Sequence, residues 1–352
     1  VFDQRNLSFA EATVNALTAL GVMQQLRTPT GPIRRIHISR QGDFGRVRLE
    51  AQDYGRATFG QVVVARDFGE ALEARLAGLS QLTRYRPARF VGFAPDEAGH
   101  RALRIADAEG ERTLHARLVV AADGTRSAVR EALGIGVDEH DYGQTLFVAR
   151  VRATQAPDGT AYERLGDDGP TALLPRGDRH WGVVHGVARE QAETVAALDD
   201  AAWLARLQHA VGWRIGRLVA SGERSAYPIV RVVAQRLVAD RAVVLGNAAQ
   251  TIHPIGAQGF NLGLRDALTL AEEIARGDDP GAASRLAAYA ARRREDRERT
   301  LAFSDGLARL TANPSPLLKP VRSAGLVAME AQPSLQAFLV GGAMGFRGDV
   351  PA

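Results

Sequence analysis

The chain has 352 residues, 45% hydrophobic and 24% charged, a balance ordinary for a globular protein of two domains. It has no cysteine, which excludes disulfides, thiolate metal sites, cysteine nucleophiles and redox dithiols. Net charge is +4, but the 44 basic residues, all arginine except Lys319, are spread along the chain and offset by 40 acids, so no nucleic-acid partner is indicated.

Residues 9–21 (FAEATVNALTALG) carry helical spacing and end in Gly21. Short strand-like runs follow at 33–39, 46–50 and 61–65, then a helix over 67–78. Residues 82–122 alternate in short segments and finish on ARLVVAADG, whose apolar run from Leu118 to Ala122 predicts a buried parallel strand. From about 141 to 230 the pattern changes. TLFVARVRA, TAYERLG, TALLPRG and HWGVVHGVA read as strands at turn-punctuated spacing, interrupted by a helix near 199–211 and closed by RSAYPIV. RAVVLGNAAQ then returns to strand–loop–helix logic. Residues 258–276 and 281–312 predict long helices, the second with Pro280 in its first turn. The run ARRREDRERT at 291–300 mixes charge signs at helical spacing and reads as a solvated face. The tail, 316–345, is apolar and predicts helix in two pieces around Pro333.

The organisation implied is α/β. Two parts resembling a nucleotide-binding fold, 1–140 and 241–312, flank a strand-rich block over 141–240, and a helical tail follows over 313–352. No run of about 18 apolar residues occurs and no signal-peptide pattern opens the chain, so a cytoplasmic protein is expected, with room for peripheral contact at a membrane.

Two stretches carry candidate chemistry. In GNAAQTIHPIGAQGFNLGLRDA, 246–267, a buried strand ends in Gly246 and a helix begins near Gly259, Phe260 and Asn261, with Pro254 and Gly256 between. Glycine admits close backbone approach and bare N–H groups, and a helix N-terminus adds partial positive charge. Together these suit a flat, partly anionic ligand held by main-chain atoms, although a turn that merely packs helix on sheet would use the same residues. In VVAADGTRSAVREALG, 119–134, Asp123 and Gly124 sit at a strand's carboxyl end, where α/β sheets bind ligands. Asp123 suits an N-cap equally well.

The order and spacing of these stretches resemble the class A flavoprotein aromatic hydroxylases, which are FAD-dependent monooxygenases. Their DG motif is matched by Asp123, Gly124, Ser127 and Arg130. Their second motif is matched by Gly246, Asn247, Ala248, Ala249, Gln250, Pro254, Gly259, Asn261, Asp266 and Ala267. GNAAQT, HP and QGFNLG, with GWRIG at 212–216, ERSAYP at 223–228 and DQRNLSFA at 3–10, resemble the ubiquinone-biosynthesis branch, nearest its polyprenyl-methoxyphenol hydroxylases. The resemblance runs over essentially the whole chain.

The resemblance implies a Rossmann-like FAD-binding domain with an inserted strand-rich substrate domain. It implies FAD as cofactor, NAD(P)H as transient reductant and O₂ as co-substrate. The oxygen would be captured as a flavin C4a-hydroperoxide and passed to the ring of a polyprenylated methoxyphenol. Other ubiquinone-biosynthesis proteins are the implied partners, with peripheral contact at the inner membrane. Asn247 would hold the ribityl chain, and Gly259, Phe260 and Asn261 would offer amides near the flavin pyrimidine edge. Asp123 and Gly124 would support the FAD and nicotinamide region, Arg5 and Gln61 would contact the flavin or its ribityl chain, and Pro254 and Gly256 would shape the loop. No catalytic side chain and no metal is implied.

Two departures stand out. The family has alanine then glycine where this chain has Gly256 then Ala257. The family also opens with a strand–GxGxxG–helix–strand unit that the chain does not show, so a truncation of roughly 35–45 residues, about one such unit, is expected before Val1. On that expectation the chain would bind FAD poorly, and a non-catalytic scaffold in a biosynthetic assembly is the second reading. His253 faces the implied flavin loop or is packed. His180 and His185 read as structural, Ser127 lacks a nucleophile-elbow context, and Trp181, Trp203 and Trp213 read as core.

Overall fold

A computed structural model describes residues 5–311, 319–332, 334, 336 and 340. The chain opens with β1 (Asn6–Ala10), α1 (Glu11–Ala19), β2 (Gly31–Ile33), β3 (Arg35–Arg40), β4 (Arg46–Glu50), β5 (Gly60–Val64) and α2 (Ala65–Ala77). A meander of β6 (Ala88–Phe93), β7 (Arg101–Asp107) and β8 (Gly110–Ala116) leads to β9 (Val119–Ala121) and α3 (Ala128–Ala132). Next come β10 (Val137–Ala153), β11 (Thr160–Leu165), β12 (Thr171–Pro175), β13 (Trp181–Ala188), α4 (Ala192–Ala196), α5 (Asp200–Val211), β14 (Leu218–Ser221) and β15 (Ser225–Ala234). The chain closes with β16 (Val238–Ala239), β17 (Ala242–Val244), β18 (Gln250–Thr251), α6 (Gln258–Ile274), α7 (Ala283–Thr311) and α8 (Lys319–Ala331).

The fold is α/β. A nine-stranded sheet runs β18-β15-β10-β13-β12-β11-β3-β4, with β14 beside β10. It therefore draws on β3, β4 and β18 as well as the expected strand-rich block. Its long strand β10 bends at an irregularity between Asp141 and Gln144, where Gly143 takes a left-handed φ of 65°. Strict alternation gives the sheet two faces. Trp181, Val183 and Val187 of β13 point to one face and pack with Trp203, Leu207 and Val211 of α5. The opposite face meets β1, where the side chain of Asn6 lies against Gly182. A smaller sheet pairs β9 with β17 in parallel, and Val119, Ala121, Val243 and Val244 form its core with Leu270 of α6 and Tyr289 of α7.

Several sequence expectations shift. Residues 9–10 belong to a strand rather than a helix, because β1 pairs with β5 from Asn6↔Val64 to Ala10↔Gly60. The helix after Pro280 starts only at Ala283, because Asp279 closes a turn on the Gly281 N–H and binds Arg241. A side chain at Gly281 would meet the Arg117 carbonyl at 2.0 Å, so the tight turn requires glycine. Trp213 is 70% exposed and is not core. In the tail, α8 covers the β3–β4 end of the large sheet with Leu326 and Met329, and Glu330 accepts the edge N–H of Arg48. Residues 312–318, Pro333, around which two helical pieces were expected, and residues 341–352 lie outside the described residues. Among the described residues no helix is long and apolar enough to cross a membrane.

Candidate active site

The two sequence motifs form one structure. Because β9 and β17 are parallel neighbours in register Val119↔Ala242 to Ala121↔Val244, both following loops leave the same sheet edge at the strands' carboxyl ends. Buried Arg130 ties them together. Its guanidinium donates to the Ala248 carbonyl at 2.8 Å and the Thr125 carbonyl at 3.0 Å. The Thr125 and Thr251 hydroxyls bond across the same gap at 2.8 Å.

In the first loop the Asp123 side chain is committed within the turn. It accepts from the Ser127 hydroxyl and from the Val129 N–H, while Ser127 caps α3 by accepting the Arg130 N–H. Gly124 has φ 91°, and a side chain there would meet nothing within 4 Å. In the second loop Gly246 has φ 58° and is equally open. From the other side, α6 presses so close that a Cβ on Gly263 would lie 3.1 Å from the Gly246 Cα. Asn247 beside it is exposed.

The helix start is unusual. Gly256 and Ala257 both take left-handed φ values, 71° and 53°. An alanine there costs on the order of 1 kcal/mol, which accounts for the family's preference for glycine at that step. The turn delivers α6 with its first-turn N–H groups, those of Gln258, Gly259 and Phe260, outside the helical ladder. Asn261 is 2% exposed and its side chain is used internally. Its oxygen accepts the Ala10 N–H at 3.0 Å, and its NH₂ donates to the Ala257 carbonyl at 2.7 Å and the Ser8 carbonyl at 3.3 Å. Phe260 stacks on Phe9 at 4.9 Å and meets Phe68 edge-on. Pro254 is exposed, and its carbonyl accepts the Ala257 N–H.

His253 is packed beneath this loop. The Ile255 N–H donates to Nδ1, so Nε2 carries the proton and donates to the Gln144 oxygen at 3.1 Å. Burial lowers the ring's pKa to about 4, consistent with a neutral imidazole. Behind the loop, Asp266 is fully buried and accepts from Gln250 and from Arg293, both at 2.6 Å. Arg293 also reaches Asp296, and Arg297 donates to the Gln250 oxygen and the Ala234 carbonyl. Burial pushes the Asp266 carboxyl upward against the pull of Arg293.

Arg5 stacks over Tyr227 at 4.7 Å, on the face of the large sheet that meets β1. Gln61 accepts from the Thr30 hydroxyl at 2.9 Å. His185 accepts from Arg206 through Nε2 and contacts the Thr171 hydroxyl through Nδ1, while the Nδ1 of His180 contacts the Asp178 carbonyl. Sequence reading missed Glu163, which shares the β1-facing side with Ile38 and Ala172 by strand register. Burial raises its carboxyl to about 7. It belongs to no motif, and the β11 alternation was its only signal.

The donor set fits FAD. Gly124 and Gly246 are left-handed with no side chain in the way, the helix beyond 257 offers first-turn main-chain donors, and the exposed carboxamide of Asn247 adds a side-chain donor.

A family model described as an FAD binding domain matches residues 2–304. The chain is 33% identical over 348 residues to ubiquinone hydroxylase UbiL of Rhodospirillum rubrum, covering 98% of this chain and 80% of that one. It is 27% identical over 335 residues to 3-demethoxyubiquinol 3-hydroxylase of Escherichia coli, covering 93% and 84%. The fold is similar to that of p-nitrophenol 4-monooxygenase PnpA from Pseudomonas putida, with a TM-score of 0.78, 17% identity, and coverage of 98% and 90%.

Proposed function

The chain belongs to the FAD binding domain family, in its ubiquinone-biosynthesis branch of class A flavin hydroxylases, and on that premise we propose that it hydroxylates the ring of a polyprenylated methoxyphenol. The observation that carries this reading is the stapled pair of motif loops at the carboxyl ends of β9 and β17, open at Gly124 and Gly246.

FAD supplies the oxygen-activating chemistry when bound, with NAD(P)H as reductant and O₂ as co-substrate. In this reading the chain's own residues position and shield. Asn247 and the main chain at Gly246 hold the cofactor's polar chain, and the N–H groups of Gln258, Gly259 and Phe260 hold its anionic edge. Asp123 acts through the turn it braces, and Asn261 acts by fixing α6 to β1. Arg5 and Gln61 would contact the flavin or its ribityl chain.

The phenol would lie against the sheet face beside Tyr227. Half-exposed Val148, Val184 and Leu174 share that face with Tyr227 by strand register and supply an apolar strip across β10, β13 and β12. An apolar strip excludes water from the reacting ring and suits a prenyl chain. The division into an FAD-binding part, 1–140 with 241–312, and a substrate part, 141–240, belongs to the same proposal. Peripheral contact at the inner membrane and association with other biosynthetic proteins would bring the prenylated substrate to this strip.

Incubation with FAD, NADH or NADPH, O₂ and a short-chain prenylated methoxyphenol tests the reading. A product heavier by one oxygen atom is expected. Reductant oxidation with bound FAD and no hydroxylated phenol would refute the substrate class.

A further inference from the structure

On the helix-covered side of the large sheet, away from the motif loops, a groove of about 570 Å³ opens between the β3–β4 hairpin, β11 and the chain just after α5. Strand register places His37, Ser39, Arg46 and Arg164 on this side, since His37 faces Tyr162, Ser39 faces Arg164, and Ser39 pairs with Arg46. Arg214 enters from beyond α5, where its guanidinium donates to the Val211 carbonyl at 2.8 Å.

The groove carries positive charge that the described residues do not neutralise. Its one carboxylate, Asp43, lies 3.3 Å from Arg40, and Arg40 also pairs with Asp167. Arg46, Arg164 and Arg214 have no carboxylate partner among the described residues, whereas arginines elsewhere on the surface pair with Asp141, Asp158 or Glu73. His37 Nδ1, Ser39 Oγ and Arg164 Nε line the groove and are buried with no hydrogen-bond partner among the described residues. Ser39 is 5% exposed, so its hydroxyl cannot satisfy itself with bulk water. Burial together with Arg214 pulls the Arg164 pKa down, and burial with Arg214 and Arg46 does the same to His37. In both, burial acts first and the neighbouring arginines add to it.

We propose that this groove binds a phosphate-type anion. A tetrahedral oxyanion presents enough acceptors to take the Arg164 Nε–H, the Ser39 hydroxyl and the Arg46 and Arg214 guanidinium donors together, and its charge offsets theirs. The ligand chemistry is shared by a small soluble phosphate and by the headgroup of an anionic lipid. The site stands independently of the proposed hydroxylation.

Calorimetric titration of inorganic phosphate into the full chain, against chloride at equal ionic strength, tests the proposal. Saturable binding is expected, weakened about tenfold or more in Arg46→Gln/Arg164→Gln, the loss of at least one charge-assisted hydrogen bond. If the double variant does not fold, Arg46→Gln alone serves, since Arg46 is exposed on an edge strand. Vesicles of phosphatidylglycerol, compared with phosphatidylcholine, distinguish the sources. Vesicle binding lost in the variant assigns a lipid headgroup, and phosphate binding without vesicle binding assigns a soluble phosphate. Absence of saturable binding to both probes, or binding undiminished in the variants, overturns the proposal.

Discussion

The outer and inner sides of the segment 246–267 differ in what their residues have left to bind. On the outer side Asn247, Pro254, Gly256 and Phe260 are exposed, and the backbone turns through left-handed conformations at Gly256 and Ala257. On the inner side Gln250, His253, Asn261 and Asp266 are buried, and each is bonded to protein. A single motif thus contains residues that can meet a ligand and residues that hold the first kind in place. The two sides should respond to mutation in opposite ways: the inner side through stability, the outer side through ligand affinity.

The largest effect belongs to the inner side. Asp266→Ala should lower unfolding stability by about 3–5 kcal/mol, the usual cost of removing one partner from a buried ion pair. Denaturant melts would show it, and a loss under about 1 kcal/mol would mean that the clamp is not what holds the loop. Arg130→Ala should cost about 2–3 kcal/mol, since it strips two charge-assisted bonds and leaves the Ala248 carbonyl buried. Thermal melts at matched pH measure it, and a change in FAD affinity with no change in stability would move Arg130 to the outer group.

A third test uses pH. His185 and His253 titrate near 4 in the fold against 6.5 unfolded, both lowered first by burial. Below pH 6.5 the unfolded chain therefore binds more protons. Stability should be fully present above 6.5 and fall as pH drops toward 4, by about 1.4 kcal/mol per unit for each ring. Glu163 acts in the other sense. Its folded pKa of about 7 exceeds the unfolded 4.5, so it removes stability as pH rises through that window. Glu163→Gln should abolish a decline between pH 6.5 and 7, and a wild-type profile with no such decline would mean that Glu163 is not held neutral. The smallest effect is a gain. Ala257→Gly should stabilise by about 0.5–1 kcal/mol, because φ 53° strains alanine by more than the entropy glycine adds to the unfolded chain. A loss of stability would show that the left-handed turn is unstrained.

Much of this was legible in the sequence, for uneven reasons. The strand–loop–helix joints at 119–134 and 246–267 were visible because a buried apolar run followed by glycine and a helical period has few other meanings. The swap at Gly256 and Ala257 was visible as a departure, and the backbone explains its cost. The partition into ligand-facing and loop-holding residues was not visible. Whether Asn261 offers its side chain to a cofactor or to the Ala10 N–H depends on where β1 lies, and the helical spacing of 9–21 claims its last two residues. The groove beside Arg164 was equally hidden, because it joins residues 37–46, 162–164 and 214 through a parallel pairing of β3 with β11. No local spacing encodes such a pairing.

The most direct test is a titration of FAD into the wild-type chain and Asn247→Leu, with thermal melts of both. Asn247 is exposed, and among the described residues its carboxamide makes no hydrogen bond that the leucine would break. FAD affinity is expected to weaken about tenfold, roughly one hydrogen bond, with the melting temperature unchanged. Equal affinity in the two proteins would contradict the role given to Asn247.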